Sequence, residues 1–402
     1  MGVMRELGIL DGDTASGVKY TRQIGQVIAE HMDAGLDGDL FHSVVESNTV
    51  TTQQLDVLST ACPCQLHNNV GESGLLTELF FSRGLFHDLE ALPRRRTLQS
   101  ILHLSTLLAD DNVEISEATF RACAYSGGLP NGQSWSIPES LAQNRAKWSI
   151  YARNELLSVA TQGLFYALLD GYEESGRRFH ASAQLVDWFI RTPETQAALD
   201  AIGTSRSFSQ LVETAAAQLP PLTNWKDQDH EIQYAEQLVQ LCRNEKSAEN
   251  RSDIITAALR ILISLTQRSS TELHAYGDLV FEDGYFSYYP INLRSFRFHA
   301  ANTWPSMTAT EVLRWLLLHW GIDNHLRVAL RKLRGQSQST FRIRPSDQGL
   351  EVTAIPPAVH TRPRFNQAVR ILKDLRALTR ADSGLWIPSE VGTAMLGLGD
   401  AP

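Results

Sequence analysis

The sequence predicts a mainly α protein: an irregular helical bundle or array followed by a C-terminal α+β domain. Three observations carry this. From Asp11 to about Ser270, apolar residues recur at spacings of three and four, in segments of roughly 10 to 20 residues broken by Gly, Pro, Asn or Ser. After Ser270, runs of β-branched and aromatic residues alternate with helical ones. No repeat of fixed period appears, so a regular solenoid is not indicated. A chain of 402 residues suits two or three domains. Breaks at 126–132 and 219–222 and the change of texture near 270 divide it into an N-terminal helical region (1–130), a central helical bundle (131–270) and an α+β region (271–402).

Taken in order, the periodicity predicts helices over 17–34, 51–60, 74–81, 97–108 and 116–123 in the first region. Those of the second are 136–169, 176–192, 193–203, 208–219, 230–242 and 251–267. The stretch from Asn154 to Leu169 is apolar on nearly every side, the mark of a helix in the middle of a bundle. Glu155 within it must be paired, with Arg153, Arg145 or a distant Arg, or carry a raised pKa. Arg94, Arg95 and Arg96 open the 97–108 helix at the positive end of its dipole and call for compensation. An intramolecular acidic cluster, an acidic partner or a phosphate backbone would each supply it.

In the third region, residues 279–289 surround Asp283-Gly284 and predict a hairpin. Helices follow over 306–320 and 323–333, with Ser306 and Asp323 as caps and Gly321 and Gly335 as stops. Thr340 to Ile355 predicts a second hairpin, Pro363 opens a helix to about Leu378, and a strand at 385–387 precedes a last helix over 389–396.

The end of the chain resembles the back half of a winged-helix (winged helix-turn-helix) domain. The resemblance rests on the helix Ala368-Val369-Arg370-Ile371-Leu372-Lys373-Asp374-Leu375, a short polar wing from Arg380 to Gly384, the strand Leu385-Trp386-Ile387, and the closing Pro388-Ser389-Glu390-Val391-Gly392-Thr393-Ala394-Met395-Leu396. These positions cover about a tenth of the chain, and about a quarter if the module begins near 306 and ends near 398. The longer hairpin ahead of the third helix departs from the tight helix-turn-helix of DNA readers. Members of that superfamily bind DNA or dock proteins, so the resemblance implies one of the two.

Charge is polarised along the chain. Between Arg327 and Arg380 twelve Lys or Arg face three acids, a net of +9; the whole chain is −9, so the remainder carries −18. At about 100 degrees per residue, the helix from Pro363 sets Phe365, Val369, Leu372 and Leu375 on one face. Asn366, Arg370, Lys373 and Arg380 fall on the other, with Arg364 at its start. The preceding helix sets Leu326, Ala329, Leu330 and Leu333 inside and Arg327, Arg331 and Arg334 outside. These eight polar residues are the candidate nucleic-acid contacts. A solvated basic face, or one docked on the acidic body, shows the same pattern.

Other chemistries lack their signatures. There is no phosphate-binding Gly-rich loop, dinucleotide fingerprint, zincin helix or nucleophile elbow, and no cofactor is called for. Cys62-Pro63-Cys64 with His67, and Cys123 or Cys242 as a fourth, offers zinc-ligand types at a spacing shorter than structural zinc sites use. Four cysteines are too few for a disulfide scaffold, no apolar run is long enough to span a membrane, and the first residues lack signal-peptide layout, so a cytoplasmic protein is expected. His319 and His325 read as structural. The expectation is a non-enzymatic accessory or regulatory subunit that contacts DNA, within a larger complex such as a bacterial genome-defence or mobile-element system. Two alternatives stay open: a protein-interaction scaffold without DNA binding, and a hydrolase in which Glu155, His180 or His230 meets a second carboxylate or a metal in three dimensions.

Overall fold

The computed structural model describes residues 2–13, 17–86, 91–203, 206–272, 290–334, 339–361 and 363–397. The protein is mainly α, with three two-stranded antiparallel sheets among the described residues, two of them in the C-terminal region. It divides into two compact units. One comprises residues 1–120, 136–145 and 363–402; the other comprises 121–135 and 146–362.

In the first unit, Leu10–Asp13 pairs with Gly17–Tyr20 where a helix from residue 17 was expected. Gly12 and Gly17 both take positive φ, which turns the chain back, and the helix starts only at Gly25, whose amide is held by Thr21 Oγ1 (2.9 Å). The helix Leu92–Asp110 buries Leu98, Ile101, Leu102, Leu104 and Leu108 and backs the C-terminal elements. Those elements are the helix Phe365–Asp374, the hairpin of Leu378–Arg380 with Trp386–Pro388, and the helix Glu390–Leu396 capped by Ser389. Gln99 Nε2 donates to the Met395 carbonyl (2.8 Å), and Phe120 packs on Phe365 with ring centroids 5.1 Å apart. Arg94 answers part of the Arg94–Arg96 puzzle with carbonyls: it donates to Leu79 O (2.9 Å) and Phe80 O (3.4 Å), at the C-terminal end of the helix Val70–Phe80.

The second unit is built on the helix Glu139–Ser175, most of which belongs to it. Val159, Ala160, Ala167, Leu168 and Leu169 are wholly buried, as the all-round apolar pattern predicts. The helix Ala248–Glu272 packs against Pro193–Ile202, Phe208–Ala216 and Glu231–Leu241. Around the fully buried Trp304 gather Phe208, Phe296, Trp315 and Trp320, their centroids 5.4 to 5.7 Å from its ring. The hairpin of Ile343–Ser346 and Gly349–Val352 docks on Tyr172 and Phe179: Leu350 N donates to Phe179 O and Tyr172 Oη to Leu350 O, both at 2.7 Å.

The expected stop at Gly321 does not occur. The chain runs from an α-helix (Ala309–Trp315) through a π-helix (Leu316–Asp323) into another α-helix (Asn324–Leu333). Thr308, not Ser306, caps the start in a reciprocal box with Glu311, and Asp323 pairs with His319 (3.3 Å) instead of capping. A glycine inside a helix costs only about 1 kcal/mol, which the apolar contacts of Leu316, Leu317 and Ile322 offset. The hairpin expected over 279–289 lies outside the described residues.

Candidate nucleic-acid interface

The first unit carries five of the eight candidate residues. The helix Phe365–Asp374 buries Phe365, Val369 and Leu372, as its spacing predicts, and leaves Arg364, Asn366, Gln367 and Arg370 exposed. Arg364 stands 3.7 Å from Glu6 and Arg370 3.7 Å from Asp374, with side chains 70% and 80% exposed. Pairs this loose and this wet are worth little, and phosphate oxygens would replace them readily. The hairpin follows at once. Arg376 takes a positive φ (54°), turning the chain from helix into strand, while its carbonyl accepts from Ser389 Oγ (2.5 Å).

Two predicted contacts have structural work that spacing could not show. Lys373 is half-buried, its ammonium 3.8 Å from the centroid of Trp386, a cation-π contact between helix and hairpin. Arg380 Nε donates to Gly384 O (3.0 Å) and closes the hairpin turn, where Gly384 has φ 83°. Arg380 itself remains exposed at this turn. Trp386 and Arg376 were missed as members of this surface, because their places depend on a turn that brings residues thirteen apart together.

Arg327, Arg331 and Arg334 belong to the second unit, on and just after the helix Asn324–Leu333, and all three are exposed. Only part of its predicted inner face is inside. Ala329 is buried and Leu326 half-buried, but Leu330 and Leu333 are 55% and 44% exposed, since the π-helix before it rotates the stripe that meets the bundle.

The polar groups that unsettled the sequence reading are resolved within the second unit. Glu155, 3% exposed, accepts from both the amide and the hydroxyl of Thr361. His360 Nδ1 stands 3.5 Å from Glu155 Oε1, and its Nε2 lies 3.2 Å from Glu236 Oε1, which also pairs with Arg121 at 3.3 Å. These are ion-pair distances without hydrogen-bond alignment of the ring. Thus Glu155 is not raised or paired with Arg. Burial alone would raise it, but His360 and the Thr361 donors hold it below the ordinary value. His360 was missed, standing over two hundred residues from Glu155 with nothing local to mark it.

Burial pushes the His360 imidazole down, but the Glu155 and Glu236 carboxylates more than reverse this, so its pKa is raised. The protonated ring therefore stabilises the fold fully below the unfolded value of about 6.5, and that stabilisation is lost as pH rises through the folded value. The expected result is a wild-type melting temperature that falls from about pH 6 to about pH 8.5 more than that of His360→Gln. Melting curves of the two proteins across this range check it; parallel curves would remove the linkage.

Glu231 and His230 form a second buried pair without a route to solvent, both being 0% exposed. Burial lowers His230 to about 4, so it is neutral, and its Nδ1 accepts from the Ile232 amide (3.3 Å). Its 3.2 Å approach to Glu231 is therefore not an ion pair at neutral pH. Burial raises the thiols of Cys123 to about 12 and Cys242 to about 11, which leaves neither nucleophilic. Cys62 is disulfide-bonded. Among the described residues, no group of three His, Cys, Asp or Glu is placed to hold a metal ion, and no helix is long and apolar enough to cross a membrane.

Compared with known proteins, no family model, no curated protein and no solved structure matches the chain.

Proposed function

We propose that the chain is a nucleic-acid-associated accessory subunit that contacts duplex DNA through the outer face of the helix Phe365–Asp374 and the hairpin behind it. The observation that carries this reading is the split of that helix, with Phe365, Val369 and Leu372 seated on its own unit and Asn366, Gln367 and Arg370 projecting outward. A helix of ten residues is about 15 Å long and enters a major groove about 12 Å wide. Asn, Gln and Arg are the side chains that pair bidentately with adenine and guanine edges there. Arg364 at the start of the helix, and Arg376 and Arg380 at the hairpin, supply phosphate contacts on either side.

The test is fluorescence anisotropy of labelled duplex DNA with the whole protein at about 50 and about 200 mM salt. Wild type is expected to bind, with affinity falling steeply between the two. Arg364→Glu/Arg370→Glu is expected to bind at least about tenfold more weakly and to lower the salt slope by about two. Both side chains are exposed, so the variant keeps its fold. No binding at the lower salt, or equal binding by the variant, would overturn the reading and leave this face as a protein-docking surface.

A further inference from the structure

The π-helix Leu316–Asp323 forms one wall of a cavity of about 370 Å³ in the second unit, within the range of small-molecule pockets. Phe165, Ile291 and Trp320 give it an apolar, partly aromatic lining. Gly321 and Phe165 line the same wall: a Cβ at Gly321 would stand 3.4 Å from Phe165 Cδ2, already in van der Waals contact, so a long side chain there would crowd the lining. Runs of π-helix are rare and gather at functional sites, because the widened turn redirects side chains at the expense of hydrogen-bond geometry.

The polar groups around this lining converge on one chemistry. Arg331 and Lys332 are exposed at the mouth and have no ion-pair partner among the described residues, and the lining holds no carboxylate. Asn324 Oδ1 is buried and accepts from nothing among the described residues. A buried acceptor left in this state calls for an N–H or O–H from outside the protein. His325 Nε2 accepts from the Arg342 amide (2.8 Å), which places its proton on Nδ1 as a donor, and its ring packs on Phe165 with centroids 5.2 Å apart. The occupant these groups describe has a dianionic head for the two cations, a flat body for the aromatic lining and an N–H donor for Asn324.

We infer that this cavity binds a nucleoside monophosphate, its phosphate on Arg331 and Lys332 and its base between Phe165 and Trp320 with an N–H directed at Asn324. The inference is independent of DNA binding, which concerns the other unit. Arg331 thereby changes role, from a contact to a DNA backbone to a contact to a free nucleotide's phosphate.

Calorimetric titration of the full chain with each of the four ribonucleoside monophosphates, their nucleosides and inorganic phosphate tests it. At least one monophosphate is expected to bind at least about tenfold more tightly than its nucleoside or phosphate alone, a difference that requires both the charged and the flat contacts. Arg331→Ala/Lys332→Ala, at two exposed positions, is expected to reduce that affinity to the level of the nucleoside, and Gly321→Leu to abolish it. Melting curves show whether Gly321→Leu folds; if it does not, the exposed double variant decides. Binding of no monophosphate, binding no tighter than phosphate, or equal binding by the double variant would overturn the assignment.

Discussion

Arg268→Met is expected to destabilise the second unit by about 3 to 5 kcal/mol, because it strands a carboxylate in the core. Glu231 is 0% exposed and takes Arg268 Nε on one oxygen (2.6 Å) and Nη2 on the other (3.3 Å), while Tyr125 Oη donates to the first. Arg268 Nη2 also donates to Pro220 O (2.8 Å), joining the helix Ala248–Glu272 to the loop before Glu231. Burial by itself would raise the Glu231 carboxyl. His230 and, at neutral pH where that imidazole is uncharged, chiefly the Arg268 guanidinium hold it below the usual value. Its contribution is therefore present above the unfolded carboxyl value of about 4.3 and lost as pH falls through the folded one. Urea unfolding of Arg268→Met, Glu231→Gln and the double variant measures the coupling. The double variant should be more stable than Arg268→Met alone, since no buried charge is left unpaired. Additive losses would show that the two side chains do not act as a pair.

Gly392→Ala is the second substitution with a large expected effect, and it bears on the proposed function. A Cβ at Gly392 would lie 2.1 Å from the Ala377 carbonyl oxygen, a backbone atom at the start of the hairpin, and 3.2 Å from Pro388 Cβ. The closing helix Glu390–Leu396 must then lift from the hairpin, pulling on the Gln99–Met395 hydrogen bond and on the Ser389 cap. The cost is expected at about 3 kcal/mol, the upper end for overpacking, because backbone cannot move aside as a side chain does. Loss of the hairpin's seat should also weaken DNA binding, whereas Thr393→Ala on the exposed side of the same helix should leave both stability and binding within about 0.5 kcal/mol of wild type. Melting curves and anisotropy on the two variants separate these outcomes. A Gly392→Ala protein as stable as wild type would mean that the helix and hairpin are not packed this closely.

The local signals in this chain read well where one face of one element decides the outcome. Phe365, Val369 and Leu372 are spaced to bury one side of a helix, and they do. The 154–169 stretch, apolar all round, lies in the core, and the strand expected at 385–387 is found at 386–388. Signals failed where two faces or two distant segments compete. Gly321 resembles a helix stop, yet packing on both sides carries the chain through it as a π-helix. Leu330 and Leu333 have the right spacing for a buried stripe, but among the described residues they stay 55% and 44% exposed.

The sequence by itself determined the helical character of most of the chain, the polarity of its charge and which side of the 365–374 helix faces out, because these depend on residues within a few turns of one another. Only the tertiary structure decided that the eight candidate residues are shared between two units, that Lys373 rests on Trp386, and that His360 stands between Glu155 and Glu236. It also decided that Gly321 and Arg331 line one cavity. Those pairings join residues from 10 to more than 200 positions apart, and a charge carries no local mark of the partner that burial will bring to it.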